Sequence, residues 1–152
     1  MPVAQFERTI SVGADAASCW KILTDVERVA GWVSIVNAVD EREHLQSYGA
    51  VLEDRMGPFR LRADLDIRVR DVVDGRSISL RAEGEDRQVA SRIAVDATLR
   101  IDGGDVGEGA TVSVEGTYEV TGKIATLGAS MIRNKARKLL DEFFSAAERE
   151  LS

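Results

Sequence analysis

The sequence is short of the residues that most often carry chemistry. It has one cysteine and one histidine in 152 residues. With Cys19 alone, no intramolecular disulfide can form, and no CxxC or HxxxH spacing exists to hold a metal. A basic excess is also missing. The net charge of −6, with no Lys/Arg cluster interleaved with aromatics, argues against a nucleic-acid binder. There is no run of ~18 apolar residues to span a membrane. The opening "MPVAQFERTISV" lacks the basic flank and apolar stretch of a secretory signal. The expected location is the cytoplasm, with attachment at the inner face of the membrane left open. What is present is ordinary: 44% hydrophobic and 30% charged residues, in a chain long enough for one domain over 1–152 with a real core.

Hydrophobic periodicity organises the chain. Residues Val3 to Val12 read as a strand, with Phe6, Ile10 and Val12 on one face. "GADAASCWKILTD" reads as a turn and a helix capped by Asp15, and Thr24 or Asp25 can cap a second short helix ending near Gly31. Strands follow: "SIVNAVDERE", a short link around His44 to Gln46, and "SYGAVLEDRM". Gly57–Pro58 marks the next turn. From Phe59 to Val69 alternation is strict, with Leu61, Ala63, Leu65 and Ile67 against Arg60, Arg62, Asp64 and Asp66, as in a half-buried antiparallel strand. Asp74–Gly75 is a hairpin signal, continued by Ile78, Leu80 and Ala82. Another strand runs from Ile93 through Val95, Ala97 and Leu99 to Ile101. The link "DGGDVGEG" then leads to Val112, Val114, Tyr118 and Val120.

The last segment reads as one long helix. Ile124, Leu127, Met131, Ile132, Leu139, Leu140, Phe143, Phe144 and Ala147 gather on a broad apolar stripe. The order of strand, two short helices, further strands and a long helix predicts an α+β fold: one antiparallel sheet of about seven strands wrapped round that helix. The helix is heavy at Phe143–Phe144 and light around Ala125 and Gly128. Two readings stay open from spacing alone. Either Gly128 allows close approach to a strand, at ~1 kcal/mol relative to alanine, or the missing side chains leave room for a guest.

Three stretches carry a resemblance: "CWKILTDVERVAGW", "YGAVLEDRMGPFRLRADLDIRV" and "GTYEVTGKIATLGASMIRNKARKLLDEFF". Together they resemble the carbon monoxide dehydrogenase CoxG family of the START-like, or SRPBCC, helix-grip superfamily. The resemblance spans nearly the whole chain. It implies a curved sheet gripping the helix around an apolar cavity, with the loop carrying Trp32 at the cavity mouth. It also implies a membrane quinone as cargo, delivered to or from a molybdenum hydroxylase or related dehydrogenase. Two departures stand out. Family members usually carry a Pro-Gly pair where this chain reads "GWVSIV" at Gly31 to Val36, and some extend into a membrane-anchoring tail beyond the helix.

No strong catalytic motif is legible, and no metal or cofactor is expected. His44 reads as a solvated residue of a polar hairpin. Cys19, beside Trp20 on the first helix, reads as a small buried thiol, with nothing in the sequence to lower its pKa. Arg8 and Asp54 share parity with their apolar neighbours. Two readings remain for them: an inward pair, or charges carried into water by a bulge or strand end. The expected ligand-binding set is Trp32, Met56, Phe59, Leu65, Ile67, Leu80, Val95, Leu99, Val114, Tyr118, Leu127, Gly128 and Met131. Tyr118 offers an isolated hydroxyl. Lys135 falls beside the stripe, where its stem can run along apolar surface with the ammonium at the pocket mouth. Lys123, Arg133, Arg137 and Lys138 form a basic face, read either as solvated or as a dock for anionic lipid or an acidic partner.

The leading expectation is a non-enzymatic carrier of a quinone or lipid-like molecule. The alternatives are a polyketide cyclase/dehydratase-like enzyme, relying on Arg8, Asp54 and Tyr118, and an assembly subunit without ligand.

Overall fold

The computed structural model describes residues 4–103 and 108–152. Val3 of the expected first strand and residues 104–107 of the glycine-rich link lie outside them. The elements follow in the order β1 (Ala4–Val12), α1 (Ala16–Leu23), α2 (Val26–Ala30), β2 (Val36–Glu43), β3 (Ser47–Met56) and β4 (Phe59–Val73). Then come β5 (Ser77–Asp86), β6 (Ser91–Gly103), β7 (Ala110–Gly122), a 3-10 turn (Lys123–Leu127) and α3 (Ala129–Glu150). All pairings are antiparallel, in the order β1-β7-β6-β5-β4-β3-β2, so the first strand lies beside the last. This is the helix-grip arrangement: a curved seven-stranded sheet with one long helix at the end of the chain.

The local signals act as their chemistry requires. The Asp15 carboxylate accepts from the Ser18 N–H at 2.8 Å and starts α1. Thr24 ends that helix, its hydroxyl donating to the Trp20 carbonyl at 2.7 Å, while Asp25 caps α2. β4 runs four residues beyond the strict alternation, to Val73. A bulge between Val69 and Asp71 absorbs the break in pattern before the Asp74–Gly75 turn. β2 starts at Val36 rather than Ser34, because the Ser34 N–H and hydroxyl are both given to Glu142 of α3, at 2.8 and 3.0 Å.

The long helix is not continuous. The 3-10 turn ends at Gly128, whose φ of 97° lies in the region open to glycine, and α3 begins one residue later. A Cβ placed at Gly128 would meet nothing within 4 Å. Glycine is there for the backbone corner and not to thin a packed face. Gly116 shows the opposite constraint. A Cβ there would lie 2.0 Å from the Asp96 carbonyl and 2.8 Å from the Phe6 ring, so Phe6 of β1 lies across bare backbone of β7.

Many of the buried apolar residues gather in two separate clusters. One joins Cys19, Leu23, Ile101, Val112, Phe144, Ala147 and Leu151, where α1 and the C-terminal end of α3 meet β6 and β7. The other joins Met56, Leu61, Val89 and Ile124 at the opposite end, beneath the 3-10 turn. Between them lies a space walled by α3 on one side and the sheet on the other.

Candidate functional site

The apolar stripe of α3 between the clusters is Ile132, Ala136, Leu139, Leu140 and Phe143, with Lys135 among them. All six are only half-buried, and the buried residues of α3 are Phe144, Ala146 and Ala147. The reason is a chamber of about 470 Å³ between the stripe and the sheet. Its sheet walls include Leu52 and Met56 from β3, Leu61 from β4, Leu80 from β5, Ile93, Val95 and Ala97 from β6, and Val114, Tyr118 and Val120 from β7. Phe6 closes one side, and Val33, Ile35 and Val36 close another. Part of its boundary is open to solvent, so it is not a sealed void. The chamber is therefore a feature that solvent or a guest fills, not a packing fault.

A second, narrower chamber of about 240 Å³ lies under α1, α2 and the β2–β3 link, lined by Leu23, Thr24, Val26, Val29, Leu45 and Tyr48 with Ile67, Val69, Ile78 and Leu99. It shares Leu80, Ala97, Val114 and Phe143 with the first. Burial pushes the Tyr48 phenol above its ordinary value, and its oxygen accepts the Leu45 N–H at 2.7 Å. A further concavity, about 710 Å³, is on the other face of the sheet. There Glu7, Arg70, Asp96 and Glu115 are solvated, and the Ser79 and Thr98 hydroxyls bond each other at 2.9 Å. Strand parity puts that groove outside the fold, so the apolar chambers are the better candidate despite their smaller volume.

The larger chamber has two charged lining residues, and they pair. Lys135 Nζ of α3 lies 2.9 Å from Asp54 Oδ2 of β3, with the side chains 24% and 15% exposed. Asp54 Oδ1 accepts the Arg55 N–H at 2.9 Å. Oδ2 is neutralised by the ammonium, yet no donor is aligned on it, and it is the one buried side-chain oxygen or nitrogen in that state among the described residues. The charge contact and the missing hydrogen bond describe one geometry: close, but badly directed. Tyr118 supplies a further polar group from β7, its ring 6.3 Å from that of Phe6. No hydrogen bond of its hydroxyl is present among the described residues.

Of the residues expected to form the site, Met56, Leu80, Val95, Val114, Tyr118, Asp54 and Lys135 line the larger chamber. Ile67 and Leu99 line the smaller. Trp32 stands one layer behind, its ring 5.6 Å from that of Phe143. Phe59 and Leu127 pack on the Met56–Ile124 cluster, and Leu65 sits opposite Gly84 in the β4–β5 ladder. Gly128 lines neither chamber, and Met131 is 45% exposed. Arg8 does point inward, but it does not pair with Asp54. It pairs with Asp141 and lies 5.8 Å from the Phe144 ring centre, while Asp54 takes Lys135 instead.

The wall residues that sequence reasoning missed are chiefly Ala136, Leu139, Leu140 and Phe143. Their own stripe spacing carried the signal, since they share a face with Ile132. Cys19 is fully buried, and its thiol is pushed up by desolvation and the Asp15 charge, as suits an inert core residue. His44 is exposed beside Glu41. No group of three or more potential metal ligands occurs among the described residues. No helix among them is long and apolar enough to cross a membrane.

Solved structures of similar shape share this architecture. A conserved protein from Geobacillus kaustophilus superposes with a TM-score of 0.84 at 18% identity, over 97% of this chain and 95% of that one. A START superfamily protein from Mycobacterium smegmatis gives 0.74 at 14%, over 97% and 96%. The di-domain ARO/CYC StfQ of the steffimycin biosynthetic pathway gives 0.67 at 10%, over 98% of this chain and 50% of that one. At such identities the likeness concerns the fold alone. A comparison with curated proteins gives no match. The sequence pattern of one family does match, over residues 9–152. On that match the chain belongs to the CoxG family of carbon monoxide dehydrogenase subunits, in a START-like fold.

Proposed function

We propose that the protein is a carrier that holds a hydrophobic small molecule, a quinone or lipid-like compound, between α3 and the sheet. The observation that supports this most directly is the chamber of about 470 Å³, within the range of small-molecule sites and walled almost wholly by apolar side chains. Burying ~300 Å² of apolar ligand surface there provides several kcal/mol before ordering costs, enough for useful affinity. The few polar groups, Asp54–Lys135 and the Tyr118 hydroxyl, suit a ring bearing one or two oxygens. The family membership favours a membrane quinone as cargo and a carbon monoxide dehydrogenase or related molybdenum hydroxylase as the enzyme served.

The carrier would work in the cytoplasm at the inner face of the membrane. Lys123, Arg133, Arg137 and Lys138 are exposed and form no ion pair among the described residues, and Met131 lies exposed among them. Such a face suits an anionic lipid surface at ~1 kcal/mol per basic residue. A second reading, a cyclase/dehydratase-like enzyme, draws on the shape shared with the ARO/CYC protein and would need Asp54, Lys135 and Tyr118 as its acid–base groups. A ligand-free assembly subunit is the remaining alternative.

Native mass spectrometry of the purified protein, with extraction and identification of what co-purifies, separates these readings. A carrier retains a stoichiometric apolar species that Ala136→Phe displaces. No bound species, together with no thermal shift from a panel of quinones and lipids, would refute the carrier reading and leave the assembly subunit. Chemical conversion of a bound polyketide would establish the enzyme.

A further inference from the structure

We infer that the two chambers are one bipartite site, which orients an amphiphile head-first and selects it by tail length. The inference rests on the carrier reading and adds to it the class of cargo: a single uncharged hydrogen-bonding head on an apolar tail. Continuity carries the first half. The chambers of about 470 and 240 Å³ share Leu80, Ala97 and Val114 on the sheet and Phe143 on α3. A molecule in the larger space can therefore extend past Phe143 into the smaller without leaving apolar walls. The Phe143 ring is fixed in place by Trp32 at 5.6 Å and Phe144 at 5.1 Å, so it narrows the passage as a fixed constriction.

Polarity sets the direction. Among the described residues the narrow chamber has no charged wall residue; its hydroxyls are Thr24, which donates to the Trp20 carbonyl at 2.7 Å, and Tyr48, whose oxygen accepts the Leu45 N–H at 2.7 Å. The wide chamber holds Asp54 Oδ2, buried and without an aligned donor, beside an ammonium at 2.9 Å. A hydroxyl on the ligand can donate to that oxygen and accept from Lys135, completing both groups. A charged head would instead leave a surplus charge in an apolar chamber. So the head belongs at the Asp54–Lys135 end, and the tail runs towards α2.

Titration of the full chain with para-alkylphenols (butyl, hexyl, octyl and decyl) by calorimetry tests this. Each methylene that enters the narrow chamber should tighten Kd about fourfold, until the chamber is full and the gain stops. Val29→Phe and Val69→Phe, from opposite walls of the narrow chamber, should bring that plateau to a shorter chain and weaken decylphenol about tenfold or more. Two separate variants guard against one that fails to fold. Lys135→Met should instead weaken every chain length by a similar factor, about tenfold. Binding that ignores chain length, or narrow-chamber variants that affect all lengths alike, overturns the bipartite site while leaving the carrier standing. Failure of every phenol to bind overturns the inferred head and the bipartite site, while the carrier reading stands or falls on the panel of quinones and lipids.

Discussion

One substitution, placed twice on the same helix, tests the cavity most directly. Ala136 and Ala147 both lie on the inward face of α3, eleven residues apart. Ala147 is 0% exposed within the C-terminal cluster, whereas Ala136 is half-buried on the wall of the 470 Å³ chamber. Leucine adds three carbons at either site and costs the helix only a few tenths of a kcal/mol relative to alanine. At Ala136 those carbons enter open apolar space and contribute about 2 kcal/mol, at ~0.8 kcal/mol per buried group. At Ala147 they enter a packed cluster and cost about 1–3 kcal/mol. For a chain of this size the ligand-free protein should melt about 4–8 °C higher for Ala136→Leu and lower for Ala147→Leu. Circular-dichroism melts of both variants, run after organic extraction, give the signs directly. If Ala136→Leu destabilises as Ala147→Leu does, the chamber is not open in solution, and the site described above loses its basis.

Two further outcomes follow from the polar contacts. Asp86 is 5% exposed, and its carboxylate accepts N–H bonds from Arg62 at 2.7 Å, Gln88 at 2.9 Å and Val89 at 3.2 Å. Burial alone would raise its pKa, but those three N–H groups hold it below the ordinary carboxylate value. Asp86→Ala should cost about 3 kcal/mol in urea unfolding and Asp86→Asn clearly less, because asparagine keeps one acceptor; equal losses would contradict this account. Glu142 is also held low, first by the Ser34 N–H, with the Ser34 hydroxyl and the charges of Lys138 and Lys135 adding to it. Because its folded pKa lies below 4.5, its stabilisation is fully present above pH 4.5 and fades as pH falls through the folded value. A stability–pH profile of Glu142→Gln should show a shallower loss below pH 4.5 than the parent, with Asp86 and Asp66 supplying what remains.

The strands were legible because period-two alternation survives wherever one face is wet, as from Phe59 to Val69. The caps at Asp15 and Asp25 and the Asp74–Gly75 turn were legible because each rests on one local hydrogen bond or one permissive φ. The site was less so. Parity says which way a side chain points, not how far away the facing element stands, and that distance makes Val95 a cavity wall and Ile101 core. Gly128 misled for a related reason. A glycine in a helical stripe looks like missing bulk, and only its φ reveals a backbone corner. Parity left Arg8 and Asp54 open between an inward pair and charges in water; their partners come from α3, and nothing in strand spacing could name Asp141 or Lys135.

Those partners also explain how a helix can stand off a sheet without collapsing onto it. Apolar packing on the buried clusters holds α3 through Phe144 and Ala147, joined by Leu140 and Phe143, on one side of the chamber and through Ile132 beside the Ile124 cluster on the other. Over the chamber, contact is polar and peripheral. Lys135 reaches Asp54 on β3, Asp141 reaches Arg8 on β1, and Glu142 takes two donors from Ser34 before β2. Further on, Glu150 meets Arg28 of α2 at 3.0 Å. Each tie is partly exposed and individually modest. Their directions matter more than their strength, because they pull towards β1, towards β3 and towards the α2–β2 loop. A helix drawn to opposite margins of a curved sheet can sink onto its floor only by breaking ties on one side. Charged side chains that look like surface decoration thus act as spacers. The apolar stripe between them is left facing a chamber that no side chain of the fold fills.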